Sequence, residues 1–169
     1  MQILITGQKG IAGAIASAYF DHNVTMVSRS TGHNINNVGG WGNNFVDYDC
    51  IFNCAYDGMG QVSVLDYFFK HWHNNPNKKI ITIGSRVISH RLTKQSGYWE
   101  YRLHKQALQE AHDTMLLSAK CDLKIINPGP VDTDLVSHLS EPKMSVQELA
   151  SRVKYIVDDI TIKRLDLWL

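Results

Sequence analysis

A phenol and an ammonium stand four residues apart in the run YWEYRLHKQALQEAH, as Tyr101 and Lys105. On a helix, residues i and i+4 share one face about a turn apart, so Lys105 can approach the Tyr101 hydroxyl or a ligand lying beside it. A tyrosine phenol titrates near ~10 and at neutral pH holds its proton too tightly to act as a base. A close cation favours the phenolate and lowers that value. Bringing the phenol to neutrality takes roughly 4 kcal/mol of differential interaction, within reach of a nearby lysine plus a bound cationic ring. The same spacing also occurs between solvated residues on ordinary amphipathic helices, so its meaning rests on the elements around it.

The second chemical feature is the glycine-rich stretch TGQKGIAG, which follows the apolar run QILIT and opens an alanine-rich helical pattern. Gly7 permits a tight turn off a strand, Gly10 lets backbone approach a pyrophosphate, and Gly13 lets the helix pack on the sheet. The start of the helix offers free amide donors and the positive end of a dipole. A strand before and a helix after turn the glycine string into a signal for a dinucleotide. The next strand ends at Val27 and is followed by Ser28, Arg29 and Ser30. An NAD site usually places a carboxylate there for the ribose hydroxyls. Arg29 suits a 2′-phosphate instead, through charge-assisted hydrogen bonds of about 1.5–3 kcal/mol, and Lys9 can add a second cation. NADP(H) is therefore expected over NAD(H), unless the two are plain surface cations.

Stepping outward, short β-branched runs alternate with longer helical patterns. Strands are expected at 2–6, 23–27, 49–53, 79–84, 123–127 and within 160–169, with helices at about 11–20, 61–74, 96–119 and 145–158. The strands are apolar without clean alternation, as expected for strands buried on both faces of a parallel sheet. The order predicts a single α/β domain over residues 1–169, a doubly wound, mostly parallel sheet of Rossmann type with right-handed crossovers. The Gly- and Asn-rich segment 31–46 has room for one very short strand at 33–35 and a stub of helix. Ser145 and Glu148 form a capping-box pattern at the start of the last helix. The 61–74 helix carries two apolar stripes, Val62/Leu65/Phe69/Trp72 and Val64/Phe68. One covers the sheet; the other is core or faces the long helix or a partner subunit.

A chain of 169 residues with a net charge of +1 has the length for a substantial core and no electrostatic case for nucleic acid or an anionic membrane. Cys50, Cys54 and Cys121 are odd in number and form no Cys-x-x-Cys pair. A reducing, cytoplasmic setting without a disulfide framework is expected. Met1 leads within one residue into ILIT, so no targeting leader is expected. No apolar run is long enough to span a bilayer. His71 and His73, flanking Trp72, read as a wet helix surface rather than a metal site, and Asp57, Asp132 and Asp134 as solvated loop carboxylates.

Taken in order, the fragments resemble the short-chain dehydrogenase/reductase family. TGQKGIAG resembles its glycine-rich turn. FNCA, with Asn53 and Ala55, resembles its Asn-Asn-Ala-Gly stretch, Cys54 departing. ITIGS ends in Ser85, sixteen residues before Tyr101. YRLHKQAL resembles its Tyr-x-x-x-Lys-x-Ala-Leu signature, and NPGPVDTDL its Pro-Gly-x-Val-x-Thr loop. The resemblance runs from the first strand to nearly the last residue and implies an NADP-dependent oxidoreductase acting on a small carbonyl or alcohol. Tyr101 is implied as the proton donor or acceptor, Lys105 as the cation that lowers its pKa and holds the nicotinamide ribose, and Ser85 as the hydrogen-bond donor to the substrate oxygen. The cofactor is implied to lie against Gly7, Gln8, Lys9, Gly10, Ile11, Gly13, Arg29, Asn53, Ala55, Lys105, Pro128, Gly129, Val131 and Thr133. A homodimer or homotetramer is implied as well, pairing through the 61–74 and 96–119 helices.

The chain departs from the family it resembles in length: it looks like a shortened member, with one helix expected between Asn53 and Ser85 where the family has two. The family's adenine-contacting Asp has only Asn34 as a stand-in, and its fourth catalytic residue, an Asn, has no match between Asp57 and Ser63. The loop from Thr133 to Ser145 is short, which predicts an open pocket that excludes water poorly. The alternative function is a regulatory or scaffold protein that binds a dinucleotide and catalyses weakly.

Overall fold

In the computed structural model, residues 1–89, 98–159 and 161–167 are described. Six strands, β1 (Gln2–Thr6), β2 (Asn23–Val27), β3 (Cys50–Asn53), β4 (Lys79–Ile83), β5 (Asp122–Pro128) and β6 (Arg164–Leu167), form one sheet in the order β2-β1-β3-β4-β5-β6. Each neighbouring pair is parallel. Between them run α1 (Ile11–Ala18), α2 (Gly60–Trp72), α3 (Trp99–Leu116) and α4 (Val146–Asp158).

Successive side chains of a strand point to opposite faces, and here both faces are covered. Ile3, Ile5, Phe52, Ile81, Ile83 and Ile126 meet α1 and α4. Leu4, Ile51, Ile80, Leu123 and Ile125 meet α2 and α3. All seven residues of β5 are buried. Two-sided burial is the reason the strands read as continuous apolar runs rather than alternating ones.

Within α2 the inward face is Val64, Leu65, Phe68 and Trp72, while Val62 and Phe69 are only partly covered. Ser145 Oγ accepts from the Glu148 amide at 3.1 Å, as the capping pattern predicts. The return half of the box is not made: the Glu148 carboxylate instead accepts from Arg152, one turn on, at 2.5 Å. For α3 the expected span began at residue 96; residues 96 and 97 lie outside those described, as do 160, 168 and 169 at the ends of the last expected strand.

The segment 31–46 corrects one expectation. No strand forms at 33–35; the described backbone runs through three short 3-10 turns, Arg29–Thr31, Ile35–Trp41 and Asn43–Asp47. The Asn34 side chain accepts from the Asn36 amide at 2.9 Å, a local bond that competes with strand pairing. Ile35 and Val38 are buried against the α2 side of the sheet. The segment therefore acts as a plug on one helical layer and leaves β2 as the sheet edge. After β2 the chain crosses to the far side of β1 to lay down β3. Connections leave the carboxyl ends of β1 and β3 in opposite directions, the switch point at which open α/β sheets offer a crevice to ligands.

Candidate active site

One wall of the crevice is the glycine turn. Gly7 has φ of 101° and Gly10 of 56°, a region that L side chains avoid, so the turn requires glycine at both. The Gly7 amide donates to the Val27 carbonyl at 2.8 Å, tying the turn to the end of β2. A Cβ on Gly10 would lie 3.2 Å from Thr133 Cγ2, so Thr133 packs against the turn. Ala55 stands beside Gly7. Its amide and that of Cys54 donate to Thr6 Oγ1 at 3.0 and 2.9 Å, pinning the end of β3 to the end of β1. No side chain caps α1. Its first amides are left for a ligand or water, the donor set a pyrophosphate takes.

Beyond the turn, Ser30 Oγ donates to Gln8 Oε1 at 3.0 Å and shares a hydrogen bond with Ser28. Arg29 and Lys9 are exposed. The Arg29 guanidinium is 3.5 Å from Asp57 Oδ2, and Asn36 Nδ2 donates to the same oxygen at 3.0 Å. Asp57 is a solvated loop carboxylate, as expected, and pairs with Arg29 and Asn36. Asn34, the stand-in for an adenine contact, is taken up by the 3-10 turn it caps.

At the other end stand Ser85, Tyr101 and Lys105, drawn together from the end of β4 and from α3. The Ser85 side chain lies near enough to the Tyr101 hydroxyl to act on its proton. Burial pushes the Tyr101 phenol up, and the Ser85 bond opposes that rise. The lowering expected from Lys105 is not seen: burial dominates and the neighbouring Tyr56 adds to the rise. Lys105 is 4 % exposed. Its ammonium lies 5.5 Å from the Tyr101 ring centre and 5.7 Å from that of Tyr56. It donates to Gln61 Oε1 at 2.6 Å and to the Ile83 carbonyl at 3.0 Å. Burial pulls its pKa down to about 7, with Cys54 opposing. Burial likewise pushes the Cys54 thiol up to about 12, against the pull of Lys105.

Three residues that sequence reasoning passed over complete this end. Tyr56 meets Tyr101 edge-on, ring centres 4.8 Å apart, and its hydroxyl bonds His104 Nδ1 at 3.0 Å. Gln61 is the partner of Lys105. Asn127 Oδ1 accepts from the Ser85 amide at 3.1 Å, while its Nδ2 donates to Gln109 and Asp166 at 2.9 Å each. This explains Gly84: a Cβ there would fall 1.9 Å from Asn127 Oδ1. In the sequence the only hints were a lone glutamine opening an apolar helix and the asparagine before Pro128.

The remaining expected contacts are placed less directly. Asn53 is fully buried, its amide donating to the Gln61 carbonyl at 2.8 Å. Val131 sits in the core and pairs with Met144. Pro128 ends β5, and the Gly129 amide donates to Leu167 at 3.1 Å. Ile11 and Gly13 lie in the first turn of α1. Tyr98, the competing phenol, stacks on His138 of the loop after Thr133, and their side chains hydrogen-bond. A shallow groove of about 480 Å³ between α4 and β6, lined by Tyr155, Ile162 and Leu167 among others, contains none of these residues.

No protein-family model matches the chain, and no curated protein matches it in sequence. Solved structures do match in fold. A short-chain dehydrogenase from Burkholderia cenocepacia J2315 in complex with NADP is 14 % identical with a TM-score of 0.78, over 100 % of this chain and 90 % of that one. A 3-ketoacyl-(acyl-carrier-protein) reductase from Brucella melitensis complexed with NADH is 15 % identical with a TM-score of 0.73, over 98 % of this chain and 95 % of that one. A 3-alpha-hydroxysteroid dehydrogenase from Pseudomonas sp. B-0831 complexed with NADH is 14 % identical with a TM-score of 0.72, over 98 % and 95 %. Six parallel strands between two helical layers, a glycine turn at the switch point and these structural matches together give the chain the fold of the short-chain dehydrogenases/reductases.

Proposed function

We propose that this chain is an NADP-dependent oxidoreductase of the short-chain dehydrogenase/reductase type, acting on a small carbonyl or alcohol. The observation that supports this most is the buried Lys105 ammonium, one turn along the same helix from Tyr101 and 5.5 Å from its ring centre, with Ser85 beside the Tyr101 phenol. When bound, the nicotinamide supplies the hydride or accepts it. Tyr101 gives a proton to the substrate oxygen in reduction and takes one in oxidation. Ser85 donates to that oxygen as charge develops on it. Lys105 favours the phenolate and offers a donor to the ribose.

The turn residues Gly7, Gln8, Lys9, Gly10, Ile11 and Gly13 take the pyrophosphate, and Arg29 the 2′-phosphate, displacing Asp57. Asn53, Ala55, Pro128, Gly129, Val131 and Thr133 shape the nicotinamide side. The half-covered Val62 and Phe69 on α2 fit a homodimer or homotetramer, which a light-scattering mass would test. Three unpaired cysteines fit a cytoplasmic setting.

A second reading, a dinucleotide-binding regulatory or scaffold protein, is favoured by one feature: Tyr56 and Gln61 enclose the ammonium that a ribose has to reach. Titration with NADPH and NADH, followed by a panel of aldehydes, ketones and quinones, separates the two. Turnover that disappears in Tyr101→Phe supports the enzyme. Tight binding without turnover on any substrate supports the second reading, and no binding of either cofactor removes both.

A further inference from the structure

Gln61 opens α2 and is 2 % exposed. Its Nε2 donates to two backbone carbonyls, Asn53 at 2.9 Å and Ile83 at 3.0 Å. An amide has two N–H donors and a carbonyl acceptor, so these bonds use both donors and leave Oε1 to face Lys105. The reverse orientation would set an NH₂ group against an ammonium and an oxygen against two carbonyls. The Gln61 backbone is held too, its carbonyl accepting from Asn53 Nδ2 at 2.8 Å. A side chain fixed at both ends by β3 and β4 thus presents one oxygen, 2.6 Å from Lys105 Nζ.

The ammonium has three donors. Gln61 and the Ile83 carbonyl take two, and one remains for Tyr101 or a ligand hydroxyl. Groups facing Lys105 are the Cys54 thiol at the end of β3, the Tyr56 phenol in the loop after it and the Tyr101 phenol on α3. α2 and β4 contribute only neutral acceptors. Among the described residues no carboxylate pairs with Lys105, so Gln61 is the side chain that both directs the charge and keeps it solvated.

We propose that Gln61 is the positioning residue of this site: clamped by the Asn53 and Ile83 carbonyls, its amide oxygen holds the Lys105 ammonium with its third donor free for the Tyr101 side of the crevice. The catalytic consequence rests on the oxidoreductase reading above; the geometric one does not.

The test compares wild type with Gln61→Met, which keeps the length and loses the acceptor, and Gln61→Glu, which keeps an acceptor and makes it an anion. Lys105 titration is followed through its side-chain nitrogen by NMR, assigned with Lys105→Met. NADPH and NADH dissociation constants, melting temperature and the pH profile of kcat/KM are measured on the same proteins. Losing one hydrogen bond to a charged group should lower the Lys105 midpoint by about one to two pH units in Gln61→Met, and Gln61→Glu should raise it. The pH profile should follow each, with KM for the carbonyl substrate little changed. A folded Gln61→Met with an unmoved midpoint overturns the proposal; if that variant does not fold, an unmoved midpoint in Gln61→Glu does so. Midpoints that move in proteins binding neither cofactor would leave the positioning intact and sink the oxidoreductase reading. Normal cofactor binding with static midpoints would do the reverse.

Discussion

The two ends of the crevice are built in opposite ways. At the phosphate end a contiguous run, residues 7–13, carries its own instructions: glycines where φ is positive, then an uncapped helix start. At the phenol end the side chains arrive from β3, α2, β4, α3 and β5, and Lys105 and Gln61 are 44 residues apart. The first end takes its conformation largely from its own residues and is tied to the rest through the Val27 carbonyl and Thr133. The second exists only once α2 and α3 have packed on the same face of the sheet. Binding should therefore depend on the first and chemistry on the second.

The largest effect should come from Tyr101→Phe. Loss of the proton donor should cut kcat about 10²- to 10⁴-fold while the NADPH dissociation constant stays within a few-fold. Parallel loss of binding and turnover would break the division between the two ends.

Next is Lys105→Met, read as stability against pH. The folded Lys105 titrates at about 7 because it is buried, the unfolded one near ~10.4. Between those values the unfolded chain binds more protons, so this group makes stability rise with pH across the window and imposes its full cost below it. Wild type should gain on the order of a few kcal/mol from pH 7 to 10 relative to Lys105→Met, by denaturant unfolding. Parallel stability curves for the two proteins would show that the ammonium is not enclosed.

Arg29→Asp should weaken NADPH by roughly 10- to 100-fold, the worth of one charge-assisted contact, with NADH affinity and maximal turnover with NADH unchanged. Equal losses for both cofactors would place the 2′-phosphate elsewhere. The smallest effect is expected from Gly84→Ala. The added methyl must displace Asn127 Oδ1, which holds the Ser85 amide. Overpacking of this kind costs about 1–3 kcal/mol, seen as a melting temperature several degrees lower, with turnover reduced more than cofactor affinity.

Much of this architecture was legible from residue order. The strand and helix runs follow from apolar periodicity, and α4 begins where Ser145 caps it. Tyr101 and Lys105 could be singled out because helix geometry sets their neighbourhood; Ser85 came only from the resemblance to the family. The segment 31–46 was misread at 33–35 because β propensity weighs little beside an asparagine that bonds its own backbone. Asp57 is a solvated loop residue as expected, but its partners, Arg29 and Asn36, were not legible because they lie 28 and 21 residues away in sequence. Tyr56 and Asn127 carried no spacing signal at all.

By itself, then, the sequence determined the parallel sheet, the glycine turn and the helix that carries phenol and amine on one face, because each depends on bonds or periodicities within a few residues. Only tertiary structure decided the state of that amine: enclosed by two aromatic rings, turned by a glutamine, and bonded to a strand carbonyl. Burial and hydrogen-bond geometry are properties of packed elements, and no local pattern encodes the desolvation that sets the charge of Lys105.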